Sequence, residues 1–230
     1  MKSEKFGNIT LYEADCMDIL PSFRDNEFDL AIIDPEYGIN IANRTGSIGQ
    51  KKGQGKITKY SKKDWDLNPP SKEYFDELFR VSKNQVIFGA NYFTSYLPPS
   101  KGWIVWDKRQ PEGVTFAMAE LAFTSIDKSV KMFSCSRALI GNKISNNERL
   151  ARAHAKIHPT QKPPELYKWI LSNYAKPGMK ILDTHFGSLS IGIACHDLGF
   201  ELTAIEKDSE YYENAKKRLE WHQKQLNINF

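Results

Sequence analysis

Asp34, Pro35 and Tyr37 stand together directly after the apolar run of residues 28–33, and their types suit chemistry on an aromatic amine. Such an amine is a poor nucleophile because its lone pair is delocalised into the ring. The Asp34 carboxylate and the Pro35 carbonyl are suited to accept its two hydrogens, and Tyr37 is suited to stack on the ring. Holding the amine in line with an electrophile can be worth about 7–11 kcal/mol. The alternative interpretation is a strand that ends in an Asp-Pro turn packed by a tyrosine.

A second motif covers residues 183–188, between a strand-like run and a predicted helix. Gly187 permits a tight turn there, and an acid, Glu206, ends the next predicted strand about 20 residues further on. An acid in that position is placed to bind ribose hydroxyls, so the two features together predict an adenosine-containing cofactor. His185 and Phe186 would crowd a pyrophosphate, but they suit a small apolar or sulfonium-bearing tail. The alternative is an ordinary strand-helix-strand connection with a small-residue turn.

Strands and helices alternate along the chain, which predicts an α/β fold with a mainly parallel sheet covered on both sides. The spacers between residues 103 and 133 are too short for helices, so that part is expected to be antiparallel. Ligands bind at the carboxyl ends of strands in such sheets, so both motifs are expected to share one cleft. Helices are predicted after Ser71, from Pro164, over 188–198 and over 210–225. Strands are predicted at residues 29–33, 85–88, 103–106, 120–124, 130–133, 180–182 and 201–205.

The composition is that of a soluble globular protein. A chain of 230 residues is long enough for one large domain with its own core, and no run is apolar enough to span a bilayer. The N-terminal residues are polar, so no secretory signal is predicted. Cys16, Cys135 and Cys195 are widely spaced, which predicts reduced thiols in a cytoplasmic protein rather than a disulfide framework. The five histidines are scattered, and no metal site is predicted.

Positive charge is concentrated in two segments, although the net charge is only +4. A basic loop over residues 40–63 contains no acid and follows the Asp34 motif directly, and a small insertion over 135–157 contains one. Their position beside a catalytic strand end favours contact with the phosphates of a nucleic acid, whereas the alternative is two solvated loops. The predicted DNA-binding residues are Arg44, Lys51, Lys52, Lys56, Lys59, Arg137, Lys143, Arg149 and Arg152.

Taken in chain order, these motifs resemble the β-group of S-adenosylmethionine-dependent DNA amino-methyltransferases, especially the small phage and prophage adenine-N6 types. The acid-aromatic motif precedes the glycine motif, and the segment His158-Pro159-Thr160-Gln161-Lys162-Pro163 lies between them, which is the permuted order of that group. Each motif alone is weak, but the combination is specific. Similar segments run over most of the chain, at residues 7–20, 34–39, 88–93, 103–108, 158–163, 183–190 and 205–206.

The resemblance implies a single domain over residues 1–230 with a Rossmann-like methyltransferase fold, whose sheet has seven mostly parallel strands and one antiparallel strand. It implies transfer of a methyl group from S-adenosylmethionine to N6 of an adenine flipped out of double-stranded DNA, with residues 135–157 as a small target-recognition insertion. Enzymes of this group are often homodimers. The resemblance assigns catalysis to Asp34, Pro35 and Tyr37, and cofactor binding to Asp15, Asp183, His185, Gly187, Ser188, Glu206, Thr160 and Lys162.

Two positions depart from the family pattern. Glu36 replaces a second proline and is expected to loosen the turn and add negative charge near the target amine. Leu189 replaces a second glycine and is expected to avoid positive φ and to crowd the cofactor. An aspartate at the first catalytic position, here Asp34, is typical of adenine-N6 enzymes, whereas serine is more typical of cytosine-N4 enzymes. A non-catalytic DNA-binding relative, a cytosine-N4 enzyme and an RNA methyltransferase remain as alternatives.

Overall fold

The computed structural model describes residues 2–40, 66–110, 117–136 and 156–226. All the residues predicted to bind DNA lie outside these ranges, so their role stays a prediction. Within the described ranges, no helix is long and apolar enough to cross a membrane.

Nine strands of the described chain form one mixed sheet, in the order β1-β2-β9-β8-β3-β4-β6-β5-β7. Strands β2, β9, β8, β3 and β4 are parallel neighbours, β6 runs antiparallel to β4 and β5, and β1 runs antiparallel to β2. The bounds are β1 (Lys2–Phe6), β2 (Ile9–Glu13), β3 (Leu30–Ile33), β4 (Gln85–Phe88), β5 (Trp103–Asp107), β6 (Ala119–Thr124), β7 (Lys131–Ser134), β8 (Lys180–Asp183) and β9 (Glu201–Glu206).

All seven strands predicted from the sequence are present, but the expected number is wrong because β1 and β2 precede them. A turn at Gly7, where φ is +63°, joins these two strands into a hairpin. Strand β1 is mostly exposed at the sheet edge and consists of polar residues up to Phe6, so it has no apolar run. With β1 and β6, two strands rather than one run against the others.

Five α-helices of the described residues cover the sheet: α1 (Cys16–Ile19), α2 (Lys72–Val81), α3 (Pro164–Tyr174), α4 (Ser190–Leu198) and α5 (Ser209–Leu226). Alternate residues of β3 belong to two separate core clusters, Leu30 and Ile32 to one and Ala31 and Ile33 to the other. The cluster that contains Leu30 includes residues of α3, α4 and α5, and the other includes residues of α1 and α2. A strand buried on both faces is apolar throughout, which explains the continuous run before Asp34.

The strand order brings the two chemical motifs together. Strand β8 lies between β9 and β3, and all three are parallel, so their carboxyl ends share one edge of the sheet. Asp34 follows β3, Asp183 ends β8 and Glu206 ends β9. Strand β2 pairs with β9 and is followed by Asp15, which accepts a hydrogen bond from the Met17 N–H at 3.0 Å as the N-cap of α1. The expectation of one shared edge is therefore confirmed.

Candidate active site

Each carboxylate oxygen of Asp34 is paired with a different side chain. The Tyr37 hydroxyl donates to Oδ1 at 2.6 Å, and the Lys162 ammonium forms an ion pair with Oδ2. Burial raises the pKa of Asp34 above its usual value, although the Lys162 charge opposes that shift. The carboxylate is thus held in one orientation, with a neutral donor at Oδ1 and a cation at Oδ2.

Tyr37 packs closely against the backbone of Gly89 and against an aromatic neighbour. A Cβ on Gly89 would lie 2.1 Å from Tyr37 Cε1, and the φ of Gly89 is +65°, so only glycine fits there. The Tyr37 N–H donates to the Asp66 carboxylate at 2.9 Å. The ring of Tyr92, which is 49% exposed, stacks on the Tyr37 ring with a centroid distance of 5.0 Å and an interplanar angle of 16°. Tyr92 was not singled out from the sequence, and it covers ring surface that the stacking role of Tyr37 requires.

Lys162 contacts Asp34, and its predicted contact with the cofactor stays a prediction. Its side chain is 2% exposed, and its ammonium lies between Asp34 Oδ2 and Glu120 Oε2, with an ion-pair distance of 3.2 Å to Glu120. Glu120 Oε1 pairs in turn with Lys108 at 2.6 Å. Sequence reasoning missed Glu120 and Lys108, although an acid in the otherwise apolar strand 120–124 is an available sign.

The segment that contains Thr160 reaches the glycine turn through a histidine. The Thr160 hydroxyl lies 3.1 Å from His158 Nδ1. The His158 ring meets Tyr211 edge to face at a centroid distance of 4.3 Å, and a Cβ on Gly187 would lie 3.4 Å from His158 Nε2. Thr160 therefore positions His158 against the turn, and any contact of Thr160 with a cofactor stays a prediction.

The glycine turn and Glu206 are joined by backbone hydrogen bonds. The Gly187 N–H donates to Glu206 Oε2 at 2.9 Å, and the Asp208 N–H donates to Oε1 at 2.9 Å. Within the turn, the His185 N–H donates to Asp183 Oδ1 at 3.0 Å. Burial raises the pKa of Asp183 to about 7 and also raises that of Glu206. The strand-end acid is thus tied directly to the turn that precedes α4.

Leu189 adopts the conformation that it was expected to avoid. Its φ is +55°, and its side chain is 1% exposed and belongs to the core. A Cβ on Gly192 would lie 2.6 Å from Leu189 Cγ, so Gly192 makes the space that this leucine fills. The expectation that Leu189 avoids positive φ is wrong, because burial of the side chain offsets a backbone cost of about 1–2 kcal/mol.

A buried arginine supports the carbonyl side of the same turn. Arg218 donates to the Ser188 carbonyl at 2.6 Å and to the Ser190 hydroxyl at 3.1 Å. Burial lowers the pKa of Arg218 to about 9. Ser188 itself is buried, with its hydroxyl 3.2 Å from that of Ser190, so its side chain is engaged within the turn.

A cavity of about 270 Å³ opens beside these motifs at the carboxyl ends of β2, β3, β8 and β9. We call it the strand-end cavity. It brings together two of the predicted cofactor residues, Asp15 and His185, with Glu36 from the catalytic motif. Its lining comprises Asp15, Cys16, Met17, Glu36, Asn68, Pro69, Pro70, Ser71, Tyr74, His185 and Lys207. The described residues contain no group of three or more acids, histidines and cysteines that could hold a metal ion.

An ion pair inside the strand-end cavity joins the two motifs. Glu36 Oε2 lies 3.1 Å from His185 Nε2, and Oε1 lies 3.4 Å from the Lys207 ammonium. Burial alone would raise the pKa of Glu36, but His185 outweighs it and holds the value at about 2. Burial likewise opposes protonation of His185, yet the Glu36 charge raises the pKa of His185 well above its usual value. The negative charge expected of Glu36 is therefore balanced by two cations.

Comparison with known proteins places these features in a wider context. Residues 105–217 match a family model described as DNA methylase. The Type II methyltransferase M.HpaI of Haemophilus parainfluenzae is 26% identical over 234 residues, which cover 87% of this chain and 71% of that protein.

Two solved structures have similar folds. M1.HpyAVI in complex with S-adenosylmethionine has a TM-score of 0.58 at 24% identity, covering 92% of this chain and 100% of that chain. The cytosine-N4-specific PvuII DNA methyltransferase has a TM-score of 0.61 at 13% identity, covering 93% and 87% of the two chains. At such identities the likeness concerns the fold, and it confirms the predicted fold class.

Proposed function

Because the chain belongs to the S-adenosylmethionine-dependent DNA amino-methyltransferases, we propose that it methylates N6 of an adenine flipped out of double-stranded DNA. The observation that carries the choice of adenine is the aspartate at the first catalytic position. Asp34 follows β3, two residues before Glu36 of the strand-end cavity, and the Tyr37 hydroxyl donates to its Oδ1. Serine, which is more typical of cytosine-N4 enzymes, is replaced here by a carboxylate.

The described residues fit S-adenosylmethionine, which supplies an electrophilic methyl group when it is bound. Each oxygen of Glu206 accepts one backbone N–H, and a carboxylate oxygen has a second acceptor site, so both can also accept ribose hydroxyls. Gly187 at φ +48° keeps the turn narrow beside this acid. Asp15 and His185 line the strand-end cavity. In the proposed complex, Asp15 lies near the adenine of the cofactor and His185 lies near its methionine side.

The catalytic residues hold the acceptor amine. Asp34 Oδ1 and the Pro35 carbonyl accept the two N6 hydrogens, which directs the nitrogen lone pair toward the cofactor. Methylation of an amine leaves a proton to be removed, and a carboxylate with a raised pKa is suited to accept it at Oδ1. In this scheme the Tyr37 side chain moves from Asp34 Oδ1 to the face of the base. Its hydrogen bond to Asp34 is therefore present only while no base is bound.

DNA supplies the remaining interactions of the proposal. An adenine in duplex DNA lies inside the stack, so flipping costs a few kcal/mol. The predicted DNA-binding residues of the basic loop and of the insertion over 135–157, all of which lie outside the described residues, are proposed to hold the phosphates during that step. We also propose the homodimer that is frequent in this family, and a cytoplasmic location where Cys16, Cys135 and Cys195 stay reduced.

The test is to incubate the protein with labelled S-adenosylmethionine and either unmethylated DNA or, in a separate reaction, RNA, and to identify the labelled nucleoside by mass spectrometry. We expect N6-methyladenine, and no product from Asp34→Ala, whose cofactor affinity stays within a few-fold of wild type. Retention of more than about a tenth of wild-type turnover by Asp34→Ala, a loss under 1.4 kcal/mol, would contradict the catalytic assignment. If the label is found in N4-methylcytosine, the target is N4 of cytosine and not N6 of adenine. Label found only in RNA would make RNA the substrate. Cofactor binding without label in either nucleic acid would favour the alternative of a non-catalytic DNA-binding relative.

A further inference from the structure

Four side chains of alternating charge form a continuous row that begins at Asp34 and contains two buried lysines. Asp34 pairs with Lys162, Lys162 with Glu120, and Glu120 with Lys108. They come from four separate parts of the chain: the end of β3, the segment before α3, strand β6 and the residue after β5. Lys162 and Lys108 are 2% and 5% exposed, so water contributes little to the solvation of either ammonium.

The row depends on Glu120 because a buried ammonium is unfavourable without nearby carboxylates. Burial lowers the pKa of Lys162, but Asp34 and Glu120 together outweigh burial and raise it above its usual value. Burial raises the pKa of Glu120, but Lys162 and Lys108 outweigh that effect and hold it at about 2. Two lysines and two acids thus leave the row without net charge, and removal of one member leaves an unbalanced buried charge.

The position of Lys162 fixes which oxygen of Asp34 is available. The ammonium takes Oδ2, so Oδ1, which is held by the Tyr37 hydroxyl, is the oxygen that an amine can reach by replacing a neutral donor. Glu120 pairs with the same ammonium and is not among the residues that line the strand-end cavity. Its ion pair with Lys162 is the contact that links it to Asp34, and its charge also raises the pKa of Asp34.

We propose that Glu120 is a positioning residue of the transfer reaction, which holds Lys162 against Oδ2 of Asp34 so that Oδ1 is presented to the target amine. The inference deepens the proposed adenine methylation and rests on it. Lys162 acts on the acid and not on the cofactor, and Lys108 neutralises the outer oxygen of Glu120.

The pH profile separates this role from simple support of the fold. The charged and titratable groups that act on Asp34 are Tyr37 of its own segment, Lys162, Glu120 of β6, Tyr167 of α3 and Asp183 of β8. Lys162 in turn is acted on by Asp34 and Glu120. Removal of Glu120 takes away one of the two charges that keep Lys162 protonated, so the alkaline limb of activity should move to lower pH. Removal of Lys162 takes away the cation that lowers the pKa of Asp34, so the acid limb should move to higher pH.

The experiment measures kcat, KM and cofactor affinity for Glu120→Gln and Lys162→Met between pH 5 and 10 on a DNA substrate, with calorimetry for S-adenosylmethionine. We expect kcat at neutral pH to fall about tenfold or more in both variants, with cofactor affinity unchanged and the two limbs displaced in opposite directions. The matched control is Asp127→Asn, which breaks the exposed ion pair of 2.6 Å with Lys101 and should leave kcat and the profile as in wild type. If Glu120→Gln does not fold, the charge-balanced double variant Glu120→Gln/Lys108→Met carries the same expectation.

The outcomes are distinct. Wild-type kcat and an unmoved alkaline limb in the Glu120 variant would overturn the positioning role while N6-methyladenine is still formed by the wild type. A loss of cofactor affinity in Lys162→Met would also overturn it and return Lys162 to the cofactor. Absence of N6-methyladenine from the wild type would instead refute the proposed function, and the inference would fail with it.

Discussion

Gly89→Ala should separate the catalytic geometry from the stability of the fold. The added Cβ would lie 2.1 Å from Tyr37 Cε1, whereas carbon atoms in contact prefer at least about 3.5 Å, so the ring must retreat by more than about 1 Å. A displacement of that size breaks the 2.6 Å bond from the Tyr37 hydroxyl to Asp34 and moves the ring that is to hold the base. Misplacement by about 1 Å can cost about 100-fold in rate, and we expect a fall in kcat of that order.

A matched control isolates the backbone effect. Gly7 has φ +63°, close to the +65° of Gly89, but a Cβ there would meet nothing within 4 Å. Both alanine variants should lose about 1–2 kcal/mol of unfolding free energy from the left-handed conformation, and only Gly89→Ala should lose activity. Urea unfolding and a methyl-transfer assay measure the two quantities. Wild-type kcat in Gly89→Ala, or an equal loss in Gly7→Ala, would refute the reasoning.

Three further predictions concern the cofactor, the cavity and the DNA. Glu206→Ala should weaken S-adenosylmethionine binding because charge-assisted hydrogen bonds to ribose are lost, and DNA binding without cofactor should not change; calorimetry that finds equal cofactor affinity would remove Glu206 from the site. Glu36→Gln should lower the pKa of His185, because the imidazolium loses the charge that favours protonation; an NMR titration of the ring that finds the same pKa in both proteins would contradict the ion pair. Replacement of four loop lysines by alanine should weaken binding to every DNA sequence. It should also reduce the slope of log binding constant against log salt concentration by about 0.9 for each phosphate that the loop no longer neutralises, whereas an unchanged slope would place the DNA path elsewhere. These four are Lys51, Lys52, Lys56 and Lys59.

The sequence was sufficient where a pattern is local and strongly periodic. Strand β3 is apolar throughout because both of its faces are buried. The end of this apolar run therefore marks the end of the strand and places Asp34 directly after it. The helix α3 begins at Pro164 as predicted, and α4 ends before Gly199 at φ +75°. Strand β1 escaped prediction because it lies at an edge, where most of its side chains are exposed and a polar sequence costs little.

Partners across the fold could not be predicted from local patterns. Lys162 is far from Asp34 in sequence, and only the packing of the segment before α3 brings them together. The backbone conformation of Leu189 was predicted wrongly for a related reason. Leucine generally disfavours positive φ, but the local sequence does not show the core space that Gly192 leaves for its side chain. The Glu36–His185 ion pair joins the two motifs, whereas the sequence shows each motif only by itself.

The pairing of β2 with β9 has a consequence for how the chain acquires its function during synthesis. These neighbouring strands are separated by about 190 residues, so at about 5–20 residues per second β2 waits about 10–40 s for its partner. Until then it has only β1, and a lone two-stranded hairpin is marginal in water. Strands β3 to β7 emerge earlier, so the side that is proposed to bind the amine is translated before the proposed cofactor site can close. With Glu206 in its proposed role, a nascent chain is unable to bind S-adenosylmethionine until that residue has left the ribosome, and cofactor binding then stabilises only the completed sheet.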